Sequence, residues 1–588
     1  MIRRHRFALA FLAVLATILF VAPLAKREVF QVRDHFDYFQ PLRWFTAQEL
    51  GEGRLPFWNP YSASGEPWLA NPQTGVFYPP AWLFLALPFE TAYLLYLLLH
   101  LVLLAWGAYA LFVRDHSGGA AMVGAAALLF SGPLLSLLDV SNNLASLAWV
   151  PLVLWCAREG AWRRGGVALA MTFLAGEPFI AAVAALLYVI VRRHRDVVGT
   201  ALVAFGLTAL QLLPFLEWVG GSDRTGGMDA SSILRDSMSW RDWLRVVLPP
   251  ALFDSSSAQD FIPVVYGGIV VALLALAGVT VLRRRRELFG WLALLLVAVV
   301  VSTGPAWLAS LPLTLFRYPA RLVPVAMLAI AALAAAGWER LRRDKRWLDL
   351  VMIAILAADL LPQAMPLLVT GPFRRDVVPY ERSIGAAQKF VRIATDERAR
   401  VESIGGYLNL YDRRFDADSA APLMNRTYLA SLRELQRVPS RARIDAFAAG
   451  YVITPRELPR PLARIARVAE TNVYAVPRSR AMAVSIAASR VTPVTWEMTT
   501  SRARVIVDAA EPSLVTLSQQ DAAGWTVAVD GKPAEKRLFS EIFRAVEVSA
   551  GHHEIVWTYH PRSFFFGAIM TLVTLIALMF SVFVKRTR

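Results

Sequence analysis

The feature that most constrains this chain is a series of apolar runs separated by clusters of arginine. The runs occupy 7–25, 91–113, 120–138, 144–157, 167–191, 197–216, 264–282, 289–303, 322–337, 348–368 and 564–584. A helix needs about 20 apolar residues to cross the hydrocarbon of a bilayer, and most of these runs approach that length. The chain is 56% hydrophobic and 18% charged over 588 residues, with a mean hydropathy of +0.45. That is too apolar for a soluble protein of this size and predicts a polytopic membrane protein.

The basic clusters orient the runs. "RRHR" (3–6), "REGAWRR" (158–164), "RRHR" (192–195), "RRRR" (283–286), "RLRRDKR" (340–346) and "KRTR" (585–588) all belong on the cytoplasmic side. They can do so only if 167–191 enters the membrane and returns. "AGEP" at 175–178 supplies the break, because glycine and proline interrupt a helix there. This gives about twelve crossings with both termini inside. The polar segments 26–80, 217–263, 303–321 and 370–562 then lie outside. The first run is followed by "KREVFQ", and Pro23 suits a cleavage site badly, so an uncleaved helix is expected rather than a signal peptide.

Some chemistries are unsupported. The formal charge of +16 is accounted for by cytoplasmic loops and needs no nucleic acid. The single cysteine, Cys156, precludes an intramolecular disulfide or a cysteine metal site. There is no Walker loop, no dinucleotide fingerprint and no HExxH.

Residues 371–562 read as one α+β module. A helix is expected over 380–395. Short alternating runs follow: "YVIT", "NVYAV", "ARVIVDA", "SLVTLSQ", "WTVAVDG", "RAVEVS" and "HEIVWTYH". They predict an extracytoplasmic domain ending in an antiparallel β-sandwich. The expected divisions are a transmembrane domain over 1–370 with a first outer loop at 26–80, the outer domain at 371–562, and a last helix with a basic tail at 563–588.

Several motifs together resemble the YfhO-type bacterial membrane proteins, a GT-C-like family of lipid-linked sugar glycosyltransferases. The first outer loop carries "DHFDYFQPLRW" and "GRLPFWNPYSASGEPWLANPQTGVFYPP". Further on come "LAGEP", "LFRYPAR" (315–321) and the terminal "AAGWTVAVDGKPAE…FRAVEVSAGHHEIVWTYHPRSFFFG". Glu177 stands where the family often has histidine. The resemblance implies a GT-C-like fold in the inner membrane. It also implies transfer of a sugar from a polyprenyl-phosphate donor to an envelope glycan or lipid acceptor on the outer face, without a nucleotide cofactor.

Asp34 is the first candidate. Sugar transfer to a hydroxyl needs a base, or a carboxylate holding a divalent cation (magnesium or manganese) on the leaving phosphate. Asp34 matches the family's acidic position. Asp37, three residues on, would share a helical face with it. The plain alternative is that both acids only begin an interfacial helix. His35 reads as a polar interfacial residue.

Arg317 and Arg321 run against the positive-inside bias, so a donor phosphate is the proposed reason, with headgroup snorkelling the alternative. Trp58, Trp68, Phe77, Tyr78 and Trp82 form either an interfacial belt or a platform for a sugar or prenyl chain. Asn59, Asn71 and Gln73 offer neutral groups that could orient sugar hydroxyls, Gln73 foremost. Glu177 would line the cavity or cap a helix beside Pro178. "SNN" (141–143) reads as a polar outer turn. Two other classes fit the composition: a transporter or flippase of a lipid-linked glycan, and a non-catalytic scaffold for envelope assembly. A transporter should show internal repeats, and none is visible.

Overall fold

A computed structural model describes residues 2–192, 196–253, 261–281, 285–310, 317–342, 346–375, 391–394, 406–458, 462–468, 471–488 and 490–586. They form two compact units that interleave in sequence. The first is Met1–His35, Phe77–Thr208 and Gly227–Phe373; the second is Phe36–Val76, Ala209–Gly226 and Arg374–Arg588.

The first unit is helical. Five helices of the described chain are long and apolar enough to cross a membrane: Phe89–Phe112, Asp196–Gly220, Pro319–Leu341, Trp347–Leu368 and Arg562–Ser581. The last of these belongs to the second unit, and Asp196–Gly220 passes from the first unit into the second. A sixth span forms if Gly118–Phe130 and Gly132–Leu138, bent by 53° to each other, are taken together. Shorter apolar helices are His5–Ile18, Pro178–Arg192, Ile269–Thr280 and Phe289–Ser302.

The run 167–191 is split where glycine and proline stand. Helix Trp162–Leu174 ends, and helix Pro178–Arg192 begins after Gly176 at φ +112°. Small residues let helix backbones approach. A Cβ on Gly278 would lie 2.0 Å from the Leu333 carbonyl oxygen, and one on Gly337 1.8 Å from that of Leu274. Helices Ile269–Val281 and Val323–Leu341 therefore cross backbone to backbone. Glu28–Phe30 pairs antiparallel with Thr370–Pro372, joining the two ends of this unit.

The second unit is rich in strands. One five-stranded sheet runs Lys532–Pro533, Trp525–Val529, Gly551–Tyr559, Arg502–Ala509, Thr495–Met498; another runs Arg537–Phe539, Phe543–Val548, Ser513–Gln520, Ala483–Ile486, Val491–Pro493. All neighbours in both are antiparallel. "RARVIVDA" buries alternate residues, as a half-covered strand must. Val505, Val507, Val515, Leu517, Val546 and Ile555 from both sheets share one apolar core.

A four-stranded sheet lies beside them in the same unit, in the order Val391–Ala394, Ala449–Thr454, Thr471–Ala475, Ala463–Val468. Here the expected helix over 380–395 needs correction. Val391–Ala394 is a strand paired parallel with Ala449–Thr454, because "VRIA" meets an open sheet edge that overrides its helical context. The rest of that stretch lies outside the described residues.

The loop 36–76 is core to this unit. The Trp58 backbone N–H donates to the Thr500 carbonyl at 2.8 Å, and Gln520 Nε2 donates to the Ala63 carbonyl at 2.9 Å. The Trp58 ring packs against Trp525 and Tyr559, with centroids 5.4 and 5.0 Å away.

Candidate active site

The acid that opens the first loop has a partner 105 positions on in the chain, at Asp139. Arg33 adopts φ 53°, a left-handed conformation that a side chain takes only under constraint. This turn leads into Asp34 and then into a π-helical turn, His35–Phe39. Arg33 Nε meets Asp139 Oδ2 at 2.7 Å.

Asp139 follows directly on the bent helix pair and is 3% exposed. Its carboxyl is pushed up to about 7, first by burial and next by the Asp34 charge, against the pull of Arg33 and of the His35 and Asp34 N–H groups. Asp34 is open at the surface of its unit. Enough protein still surrounds it that lost hydration raises its carboxyl, with Arg33 opposing. The two acids thus divide the work of a pair, one accessible and one buried behind it.

His35 is not interfacial. It is 1% exposed, stacked on Phe30 at 5.4 Å, and its Nδ1 lies 2.7 Å from the Tyr93 hydroxyl. Burial lowers it to about 3, so it is neutral at physiological pH.

The "SNN" stretch is no outer turn. Ser141, Asn142 and Asn143 are each 1% exposed at the start of helix Ser141–Leu147. They bury because the helix break at Gly176 leaves backbone groups that need partners. Asn142 Nδ2 donates to the Gly176 carbonyl at 3.2 Å and to Glu177 Oε2 at 3.3 Å. The Glu177 N–H donates to Ser146 Oγ at 3.1 Å, and Glu177 Oε1 receives Arg321 at 3.0 Å. Glu177 is therefore a paired, buried carboxylate. Among the described residues, Ser141 Oγ and Asn143 Oδ1 are buried without a hydrogen-bond partner.

Arg317 and Arg321 flank Tyr318, which sits at φ 62° ahead of Pro319. Arg317 lies 4.3 Å over the Tyr318 ring and Arg321 5.2 Å from it. Phe261 stacks on Tyr318 at 5.5 Å and lies under Arg321 at 5.4 Å. Burial holds Arg317 below its ordinary range. Asn142, three residues after Asp139, links the acid pair along the chain to Glu177 and so to Arg321.

The remaining candidates scatter. Tyr78 is fully buried in the first unit. Its hydroxyl lies 2.6 Å from His100 Nε2 and accepts the Trp149 indole N–H at 2.9 Å, which makes it a structural link, not a platform. Trp58 and Trp68 are each 1% exposed, whereas Trp82 is open. Asn59 donates to Glu66 Oε1 at 2.9 Å. Asn71 caps the short helix Pro72–Thr74, and Gln73 accepts the Tyr38 hydroxyl. The Asp37 carbonyl accepts the Tyr407 N–H at 2.6 Å in the second unit. The π-turn between Asp34 and Asp37 is wider than an α-turn, so their spacing of three no longer stacks them on one face.

Sequence reasoning missed Asp139. Its signal was an acid ending an apolar run, a placement that costs on the order of 3 kcal/mol on insertion scales. Among the described residues no group of three or more His, Cys, Asp or Glu could hold a metal. The carboxylate beside Asp34 is already held by Arg33, so these residues do not form a metal site by themselves.

The fold and this site define a helical membrane protein of GT-C-like architecture with a β-rich C-terminal region. Residues 75–310 match the model of "Glycosyltransferase family 87", and residues 466–571 match that of "Bacterial membrane protein YfhO". The resemblance to YfhO-type, GT-C-like membrane proteins is thereby borne out. A similar solved structure is the cryo-EM structure of the arabinofuranosyltransferase AftD from Mycobacteria, with TM-score 0.53, 12% identity, 95% of this chain covered and 57% of that one. A mutant of the same protein gives TM-score 0.52 at 12% identity, with 95% and 60% covered. The chain thus spans less than two thirds of the solved chains it resembles. No curated protein matches it in sequence.

Proposed function

We propose that this protein moves a sugar from a polyprenyl-phosphate donor to an envelope acceptor on the outer face of the bacterial inner membrane. The observation that carries the reading is the exposed Asp34 backed by the buried, Arg33-paired Asp139. A base must reach the acceptor hydroxyl, and Asp34 is open to do so. The acceptor oxygen forms its bond to the anomeric carbon as its proton passes to Asp34. The bond from that carbon to the phosphate oxygen breaks, and its electron pair leaves with the polyprenyl phosphate.

Arg317 and Arg321 would take up the charge on that phosphate, since guanidinium groups bind it bidentately. Glu177 holds Arg321 at 3.0 Å and keeps its buried charge paired. No step uses a metal or a nucleotide. The arginine clusters support cytoplasmic termini and about twelve crossings, with the β-rich domain outside as a sandwich that positions the acceptor.

The test is release of polyprenyl phosphate from a radiolabelled lipid-linked sugar by the purified protein. Wild type should release it, and Asp34→Asn should not. Equal release by both would remove Asp34 from the chemistry. Absence of release by wild type, with glycan export intact, would favour a transporter.

A further inference from the structure

A cavity of about 160 Å³ lies within the second unit, and nothing in the transferase reading uses it. Trp218 and Glu217 reach it from the end of helix Asp196–Gly220, and Ser563 from the start of helix Arg562–Arg586. These two helices pack together in this unit: the Leu210 N–H donates to Thr571 Oγ1 at 3.2 Å. The cavity therefore sits where two apolar helices meet the β-rich body. Trp58, Tyr559 and Glu66 complete the lining that matters here.

The polar groups are of two kinds. Glu66 is occupied, accepting from Asn59 at 2.9 Å and from Ser419 at 2.7 Å. The Asn425 side chain, whose Oδ1 accepts the Tyr428 N–H at 3.1 Å, also lines the space. Glu217 is exposed at the rim. Among the described residues no lysine, arginine or histidine lines the space. Taking ~10–15 Å³ per water, the cavity holds on the order of ten waters, which suits one saccharide ring and not a prenyl chain or a nucleotide.

We propose that this cavity binds a neutral sugar ring of a glycan. The aromatic faces of Trp218 and Tyr559 would take the C–H face of the ring. Asn425 Nδ2 would donate to a ring hydroxyl and Glu217 would accept from another. The carboxylates of Glu217 and Asp521 in the lining repel phosphorylated and acidic sugars. The site lies within the second unit and does not depend on Asp34 being catalytic.

Titration of the full chain in nanodiscs with methyl glycosides of neutral hexoses and pentoses, followed by tryptophan fluorescence, tests this. Wild type and Asp34→Asn should show the same saturable change with at least one neutral glycoside. Trp218→Ala should bind at least tenfold more weakly and Glu217→Gln about threefold more weakly. Glucuronic acid should not compete. The exposed Glu217 keeps the test open if Trp218→Ala fails to fold. No saturable binding by wild type, equal binding by wild type and Glu217→Gln, or competition by glucuronic acid would overturn the site. Loss of sugar binding in Asp34→Asn would place the sugar at the acid pair instead and would also overturn it.

Discussion

Two buried acids in this molecule show opposite uses of a carboxylate. Glu49, in the second unit, is 2% exposed and surrounded by donors. Arg54 donates at 2.7 and 3.0 Å, Arg413 at 2.9 Å and Thr500 at 3.2 Å. Asp139, in the first unit, is as deeply buried but shares its site with another acid and a single guanidinium. The first arrangement satisfies a charge and holds residues far apart in sequence together. The second leaves a carboxyl near 7, where protonation changes at physiological pH. Satisfied acids serve the fold, whereas acids that crowd each other are poised to move a proton.

The comparison breaks first at Asp34. Asp34→Asn is expected to lower sugar transfer by ~10²–10⁴-fold with the circular-dichroism spectrum and elution volume unchanged. Transfer within tenfold of wild type would end the functional half of the contrast. Glu49→Ala should instead destabilise the second unit by about 1–2 kcal/mol, because both arginines are more than a third exposed and keep Glu52 as a partner. Denaturant melts and limited proteolysis would register the loss, with transfer per folded molecule unchanged.

Asp139→Asn sharpens the contrast through pH. In wild type, transfer should fall as pH drops through about 7, where Asp139 gains its proton. In the variant that limb should move to lower pH. Stability should respond with the opposite sign. A carboxyl whose folded pKa is raised binds more protons folded than unfolded, so its cost grows as pH rises from the ordinary carboxylate range through about 7. The variant should therefore melt higher than wild type at pH 8 and equally at pH 4. The smallest effect is expected for Arg321→Lys. It keeps the charge beside Glu177 but loses the fork, and should raise the donor KM by roughly tenfold (about 1.4 kcal/mol) with less change in kcat.

Much of this was legible in the residues. Gly176 and Pro178 announced the break in the fifth apolar run. Alternation in "ARVIVDA" and "SLVTLSQ" announced strands, and outward arginines singled out positions 317 and 321. Asp139 was not legible, because "LLDVSNN" looks the same in an outer turn as in a buried helix start. The packing of Trp58 in the core was not legible for a related reason. A tryptophan in a proline-rich loop fits an aromatic belt as well as a core, and its partner Trp525 is hundreds of residues away.

The sequence alone determined where helices and strands can form, because those depend on periodicity and on local backbone chemistry. It also determined which segments hydrocarbon could accept. Only the tertiary structure decided that Asp34 faces Asp139, that Glu177 holds Arg321, and that the first loop builds the core of the β-rich unit. These are contacts between distant residues, and the burial and charge that set a carboxyl's proton affinity exist only once the chain has brought them together.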